Sequence, residues 1–239
     1  SRERDAPKPL RSEAAVQRHV RRTRDQLVDE SDEPRPVHGP EIGEPLVRDV
    51  ELLAEVLCAY DQAAPVDERE LTALRTHIAP RGPDGEGQWI SGRHHIGLAH
   101  RRLAIIDLSA SGVQPMVLSD KDGNENDADA LRITFNGEIY NYKELRRELE
   151  AKGETFTTNS DTEVLLRLYR RYGAGMVHHL RGMFAFALWD GKREGLLLAR
   201  DPFGIKPLYF SLAHGACRAA SQVKALIAGQ NAASPPGAI

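Results

Sequence analysis

The stretch "MFAFALWDGKREGLLLAR", residues 183–200, constrains the fold more than any other. Two apolar runs of strand length flank an Asp190-Gly191 turn, and runs joined by so short a polar connection pair antiparallel. A second such pair follows in "PLYFSLAHGACRAAS", turning at His214-Gly215. A third lies upstream, where the turn "SGRHH" joins "GQWIS" to "IGLAHRRLAIIDL", and "LRITFNG" is a further strand. Segments of helical period sit between them. "APVDERELTALRTHIAP" carries acidic residues in its first turn, and "YKELRRELEAKG" stops at Gly153. Ser160 and Glu163 form a capping box ahead of "VLLRLYRRYG". Strands in runs interleaved with helices, from about residue 68 to 228, predict an α+β fold with a largely antiparallel sheet.

The flanks differ in composition. Residues 1–45 are rich in charge and proline, and a basic patch, "RHVRRTR", is closely followed by an acidic one, "DESDE". Opposite charges that close to each other read as a solvated, flexible arm, not a nucleic-acid tail. Leu46, Val50, Leu53 and Leu57 recur at helical spacing and predict a short amphipathic helix. The tail "AGQNAASPPGAI" has linker composition. The expected organisation is an arm over 1–45, a domain over 46–228 and a tail over 229–239.

The net charge of −3 asks for neither nucleic acid nor an anionic membrane as partner. No apolar run approaches the ~20 residues that span a bilayer. The two cysteines, Cys58 and Cys217, are too few for a disulfide framework or a thiolate metal site, which reads as a cytoplasmic protein. "DKDGNEND" is acidic, but its glycine and closing residue do not match a calcium loop. The pairs His94-His95 and His178-His179 are neighbours whose side chains diverge, so no metal is expected. "RGPDGEG" lacks the spacing of a phosphate cradle and reads as a loop whose glycines permit close backbone approach.

"FNGEIYNYKELRREL" points to chemistry. A strand ends at Asn136-Gly137-Glu138 and runs through Tyr140 into a helix. The Asn136 amide and the unobstructed N–H of Gly137 are two donors at one point, which acyl transfer needs for a developing oxyanion. A plain Asn-Gly turn would leave the same residues.

"RGPDGEG", "LAHRRLAIIDLS", "FNGEIYNY", "SDTEVLL", "LRGMFAFALWD" and "LARDPFGIKPLYF" occur in order. Together they resemble class II glutamine amidotransferase domains, most of all the N-terminal half of glutamine-hydrolysing asparagine synthetases. The resemblance implies an N-terminal-nucleophile fold, a four-layer sandwich with two antiparallel sheets between helix layers. It also implies hydrolysis of glutamine, with ammonia passed to a synthetase domain or chain. Carried over by motif, Arg102 would clamp the α-carboxylate of glutamine, and the backbone of Leu103 and Ile105 would line the pocket. Asn136 and Gly137 would form the oxyanion hole, and Glu138 and Asp161 would hold the α-ammonium. Arg200, Asp201 and Lys206 would be architectural. ATP and magnesium would belong only to a synthetase domain, whose SGGxDS-type motif does not occur in these residues, so no cofactor is expected in this chain.

One element departs from the pattern. The family nucleophile is a cysteine at the head of the first strand, whose free α-amine activates its own thiol. Counting back from "APVDE" places Leu53 there, while Cys58 lies further along and would serve if everything before it were removed or if translation began at Leu57. "CAYDQ" also reads as a poor central strand, and Ser1 lies in the charged arm. Two readings follow: a glutaminase domain, or a catalytically silent scaffold or binding domain of the same fold.

Overall fold

The computed structural model describes residues 54–61, 65–102, 113–120, 127–213 and 216–233. Outside them lie the predicted arm, the segment 46–53, Leu103 and Ile105, most of the polar loop "DKDGNEND", the His214-Gly215 turn and residues 234–239.

Among the described residues the strands form two antiparallel sheets. One has five strands, in the order β2 (Gly85–Ile90), β3 (Ile96–Arg102), β1 (Ala54–Asp61), β9 (Ala216–Ala220) and β8 (Tyr209–Ala213). The other has four, β4 (Met116–Leu118), β5 (Leu131–Ile139), β6 (Gly182–Asp190) and β7 (Gly195–Arg200). Helices α1 (Glu68–His77) and α4 (Val223–Ala233) pack on the outer face of the five-stranded sheet. Helices α2 (Tyr142–Ala151) and α3 (Asp161–Tyr172) cover the outer face of the other. The order is therefore helix, sheet, sheet, helix.

Period-two alternation builds these layers. On β6, Phe184, Phe186 and Leu188 face the helices with Ile133 and Phe135 of β5. Ala185, Ala187 and Trp189 face the other sheet and meet Cys58, Ile96, Leu98 and Ala219 there. Each large side chain so enclosed contributes about 1.5–3 kcal/mol. On the far side, Leu71, Leu74 and Ile78 of α1 and its C-terminal cap pack on Ala99, Ala220, Ala225 and Leu226.

Several local expectations change. Residues 54–57, predicted as the end of a helix, are the first half of β1, which is the central strand between β3 and β9. A strand enclosed on both faces carries apolar residues at odd and even positions, so its spacing imitates a helical one. For the same reason "CAYD" is a workable central strand. Ser160 does cap α3, accepting from Thr162 N–H at 3.1 Å, but Glu163 does not complete the box. Its carboxylate instead accepts from the N–H groups of Thr157 and Thr158 and pairs with Arg167, one turn on. The β6–β7 connection spans Gly191 to Glu194, with Arg193 N–H donating to Asp190 at 3.1 Å, so it is longer than an Asp-Gly turn alone. Helix α4 runs to Ala233 and takes in residues read as the start of a linker tail. Alanine's helix propensity and the packing of α4 against α1 outweigh that composition.

Asp201 organises the segment after β7. Its buried carboxylate accepts from the backbone N–H groups of Phe184 (3.3 Å), Phe203 (3.1 Å), Ile205 (3.0 Å) and Lys206 (3.0 Å). Burial works to raise its pKa, but those hydrogen bonds outweigh it and hold the group below its ordinary value of 3.8. A depressed carboxylate stabilises the fold above its unfolded pKa and loses that contribution as pH falls through the folded one. Asp201→Asn is expected to cost on the order of 3 kcal/mol in urea unfolding at pH 7. That difference from the parent should shrink as pH falls below about 4, where the unfolded chain's carboxylate takes up a proton, and be gone once the folded group is protonated too.

Candidate functional site

Residues singled out by the sequence gather at one end of the sandwich. Side chains two apart on a strand share a face, so His100 and Arg102 of β3 point the same way, as do Arg132, Thr134 and Asn136 of β5. The two sheets touch at matched levels along these strands. Arg132 stacks on Trp89 at 4.2 Å, and Trp89 is the β2 neighbour of Leu98. Thr134 lies against His100 at 3.2 Å. One pleat further, Arg102 and Asn136 reach the same end of the interface. Ala54, the first residue of β1, pairs with Arg102 and so begins at that end too.

Asn136 is fully buried, and neither of its amide atoms has a hydrogen-bond partner among the described residues. An unpaired buried amide costs roughly 1–3 kcal/mol, a cost that a polar ligand at this position would relieve. Gly137 has φ 152°, and a Cβ there would sit 2.1 Å from Met183 O, so no side chain fits against β6. β5 runs on to Ile139, past the predicted strand end, and Gly137 pairs there with Phe184 of β6. Asp161, the first residue of α3, accepts from Ile139 N–H at 3.1 Å. Burial, with the neighbouring charge of Glu138, pushes its carboxyl up to about 6, although hydrogen bonds from Ile139 and Thr162 pull the other way.

The glycine-rich loop buttresses Arg102. A Cβ on Gly82 would lie 2.6 Å from the Arg101 carbonyl carbon, so only glycine lets the loop press on this strand. Asp84 N–H donates to Arg102 O at 3.0 Å, and the Arg102 stem runs beside Gly85, where a Cβ would come within 3.6 Å of it.

Gln114 was not visible as a site residue in the sequence. It is buried, accepts from Phe135 N–H at 2.6 Å and approaches Thr162 Oγ1 at 3.5 Å. It ties the strand carrying Asn136 to the helix carrying Asp161. Only a glutamine beside a proline marks it in the sequence, which is no local signal.

Cys58 stands apart from this cluster. It pairs with Leu98, four ladder positions from the Arg102 rung, or roughly 13 Å at strand rise. It is fully enclosed between the sheets, and burial, with Cys217 beside it, pushes its thiol well above the ordinary range. Burial likewise pushes Cys217 up to about 11. Among the described residues no group of three or more His, Cys, Asp or Glu side chains is placed to hold a metal, and no helix is long and apolar enough to cross a membrane.

Comparison with known proteins agrees with the fold and the motifs. A model of the glutamine amidotransferase domain matches residues 55–235. Asparagine synthetase [glutamine-hydrolyzing] 1 of Bacillus subtilis is 46% identical over 170 residues, covering 71% of this chain and 25% of the relative. Amidase chry2 of Gibberella zeae is 44% identical over 159 residues, covering 66% of this chain and 22% of the relative. The chain thus spans about a quarter of the length of the curated relatives it matches. Among solved structures, the B. subtilis glutamine phosphoribosylpyrophosphate amidotransferase aligns with a TM-score of 0.61 at 22% identity. That alignment covers 74% of this chain and 43% of the other, and it supports the fold. With the matched model spanning most of its length, the chain belongs to the glutamine amidotransferase domain family.

Proposed function

We propose that this chain is the glutamine-binding domain of an asparagine-synthetase-like amidotransferase. The observation that carries the reading is Asn136, buried with an unpartnered amide at the end shared with Arg102, Gly137 and Asp161. In this scheme Arg102 takes the α-carboxylate through its guanidinium fork. Asp161 and Glu138 take the α-ammonium, and Asn136 and Gly137 donate to the side-chain carbonyl. The partner is a synthetase domain or chain, and ATP and magnesium enter only there.

Hydrolysis needs more than binding. A thiolate must attack the amide carbon, ammonia must leave with a proton, and water must cleave the thioester. That thiolate belongs at the head of β1, where the sequence has Leu53. The burial of Cys58 and Cys217 favours the second reading, a domain that binds glutamine without cleaving it. The full chain is expected to bind L-glutamine in calorimetry and to release no ammonia. A chain begun at residue 53 with Leu53→Cys, which frees the α-amine beside a thiol, is expected to gain glutaminase activity. Absence of glutamine binding would sink the pocket reading, and ammonia release abolished by Cys58→Ala would sink the placement of the nucleophile. Native-state labelling offers a direct check: neither cysteine should react with iodoacetamide at pH 7.5 until the protein unfolds.

Asp161 gives the pocket a pH dependence. Ionised, it attracts an ammonium, and protonated, it does not. Glutamine affinity is therefore expected to fall up to tenfold per pH unit below about 6. Stability runs the opposite way. A raised folded pKa gives stability that is complete below the unfolded value of 3.8 and is lost as pH rises through about 6. At pH 7.5, Asp161→Asn should raise Tm while abolishing glutamine binding, which thermal melts and calorimetry together would check.

A further inference from the structure

The groups assigned to glutamine come from different sheets. Arg102 sits on β3, whereas Asn136 and Gly137 sit on β5. The layer between them is mostly apolar, and apolar contact is non-directional, so it does little to fix how one sheet lies along the other. A pair of hydrogen bonds in that layer is directional. His100 Nδ1 lies 3.2 Å from Thr134 Oγ1, and Thr134 Oγ1 donates to Ala99 O at 3.2 Å. Both side chains are buried. A hydroxyl has one proton, and here it goes to Ala99 O, so the hydrogen between Thr134 and the ring belongs to His100 Nδ1. The bond is therefore directed from β3 to β5 while a second runs back. The Arg132–Trp89 stack holds the next level in the direction away from the site.

Arg102 and Asn136 are each two residues beyond this pair, about 7 Å along their strands. We propose that His100 and Thr134 are a positioning pair that fixes the span between the carboxylate clamp and the amide-binding strand end, and so selects the length of the amino-acid amide bound. The proposal rests on the glutamine-pocket reading above. Glutamine and asparagine present the same terminal groups and differ by one methylene. Discrimination at that level is worth roughly 10- to 200-fold in a well-fitted site, and a misplacement of about 1 Å is enough to erode it.

The experiment measures Kd for L-glutamine and for L-asparagine on the full chain by calorimetry, with Tm recorded for each variant. The parent is expected to prefer glutamine. Thr134→Val and His100→Leu, which remove the acceptor and the donor, should each lower the glutamine-to-asparagine preference about tenfold. Thr134→Ser, which keeps the hydroxyl, and His100→Asn, which keeps a donor at the Nδ1 position, should retain it. Should one of the first two variants fail to fold, the other decides. A merely structural role predicts that both Kd values shift by one factor, or that neither moves, and either result overturns the proposal. A parent that binds glutamine and asparagine equally overturns it while leaving the pocket reading intact. A parent that binds neither overturns both.

Discussion

The pairing of β1 between β3 and β9 is the constraint on which the other placements depend. Its register sets Cys58 opposite Leu98 and Ala54 opposite Arg102. A slip of one residue would turn every side chain to the other face, moving Cys58 out of the inter-sheet layer and against the helices. The same register carries outward through Arg218 of β9, whose guanidinium meets buried Glu70 of α1 and ties the helix layer to the central strands. The helices close the outer faces of the sheets and the sheets close each other's inner faces, so open backbone among the described residues lies at strand ends and along edges such as that of β5 beyond β4. The candidate site lies at such a place, where β5 runs on past β4.

The site works against the stability of the layers around it. Asn136 keeps an unpaired amide in a buried position, and Asp161 holds a carboxyl whose charged form burial disfavours. The rest of the fold offsets both through polar groups that are fully used. Asp201 takes up backbone donors that the turn after β7 would otherwise leave exposed. Glu163 does the same for the entry to α3. Gln114 caps the edge of β5 beyond the short β4 and holds it to α3. Satisfied networks of this kind make a rigid frame, and a rigid frame can keep unsatisfied groups in place for a ligand.

What the sequence made legible follows from the range of each signal. Hairpins and amphipathic helices declare themselves over a few residues, so β2 with β3, β6 with β7, and α1 to α3 could be read directly. The Asn136-Gly137 pair was legible because adjacent residues report on one backbone point. Its placement toward the same end as Arg102 and Asp161 was not, since it depends on how two sheets stack, and only the motif order suggested it. The residues 54–57 misread as helix show the opposite failure, a central strand whose enclosure on both faces erases its period. His100, Thr134 and Gln114 gave no signal, because a lone polar residue in an apolar run looks the same whether it faces water or a partner across the core.

On the proposed reading, the mid-strand position of Cys58 bears on where a nucleophile of this kind can work. A nucleophile activated by its own α-amine must be a residue whose nitrogen carries a free lone pair. In mid-strand that nitrogen is an amide, its lone pair is delocalised into the carbonyl, and its hydrogen lies within the antiparallel ladder. Burial adds a second obstacle by holding the thiol in its neutral form. Distance along β1 adds a third, because the thiol is four rungs from the Arg102 end. These obstacles have one origin, the closure of the central strand by its neighbours. Moving the thiol toward the Arg102 end would remove the distance, and freeing the amine there would remove the first obstacle. The groups proposed to bind glutamine would remain as they are. Groups that hold a substrate and its transition state equally lower Kd without accelerating a reaction, so the pocket and the nucleophile are separable requirements.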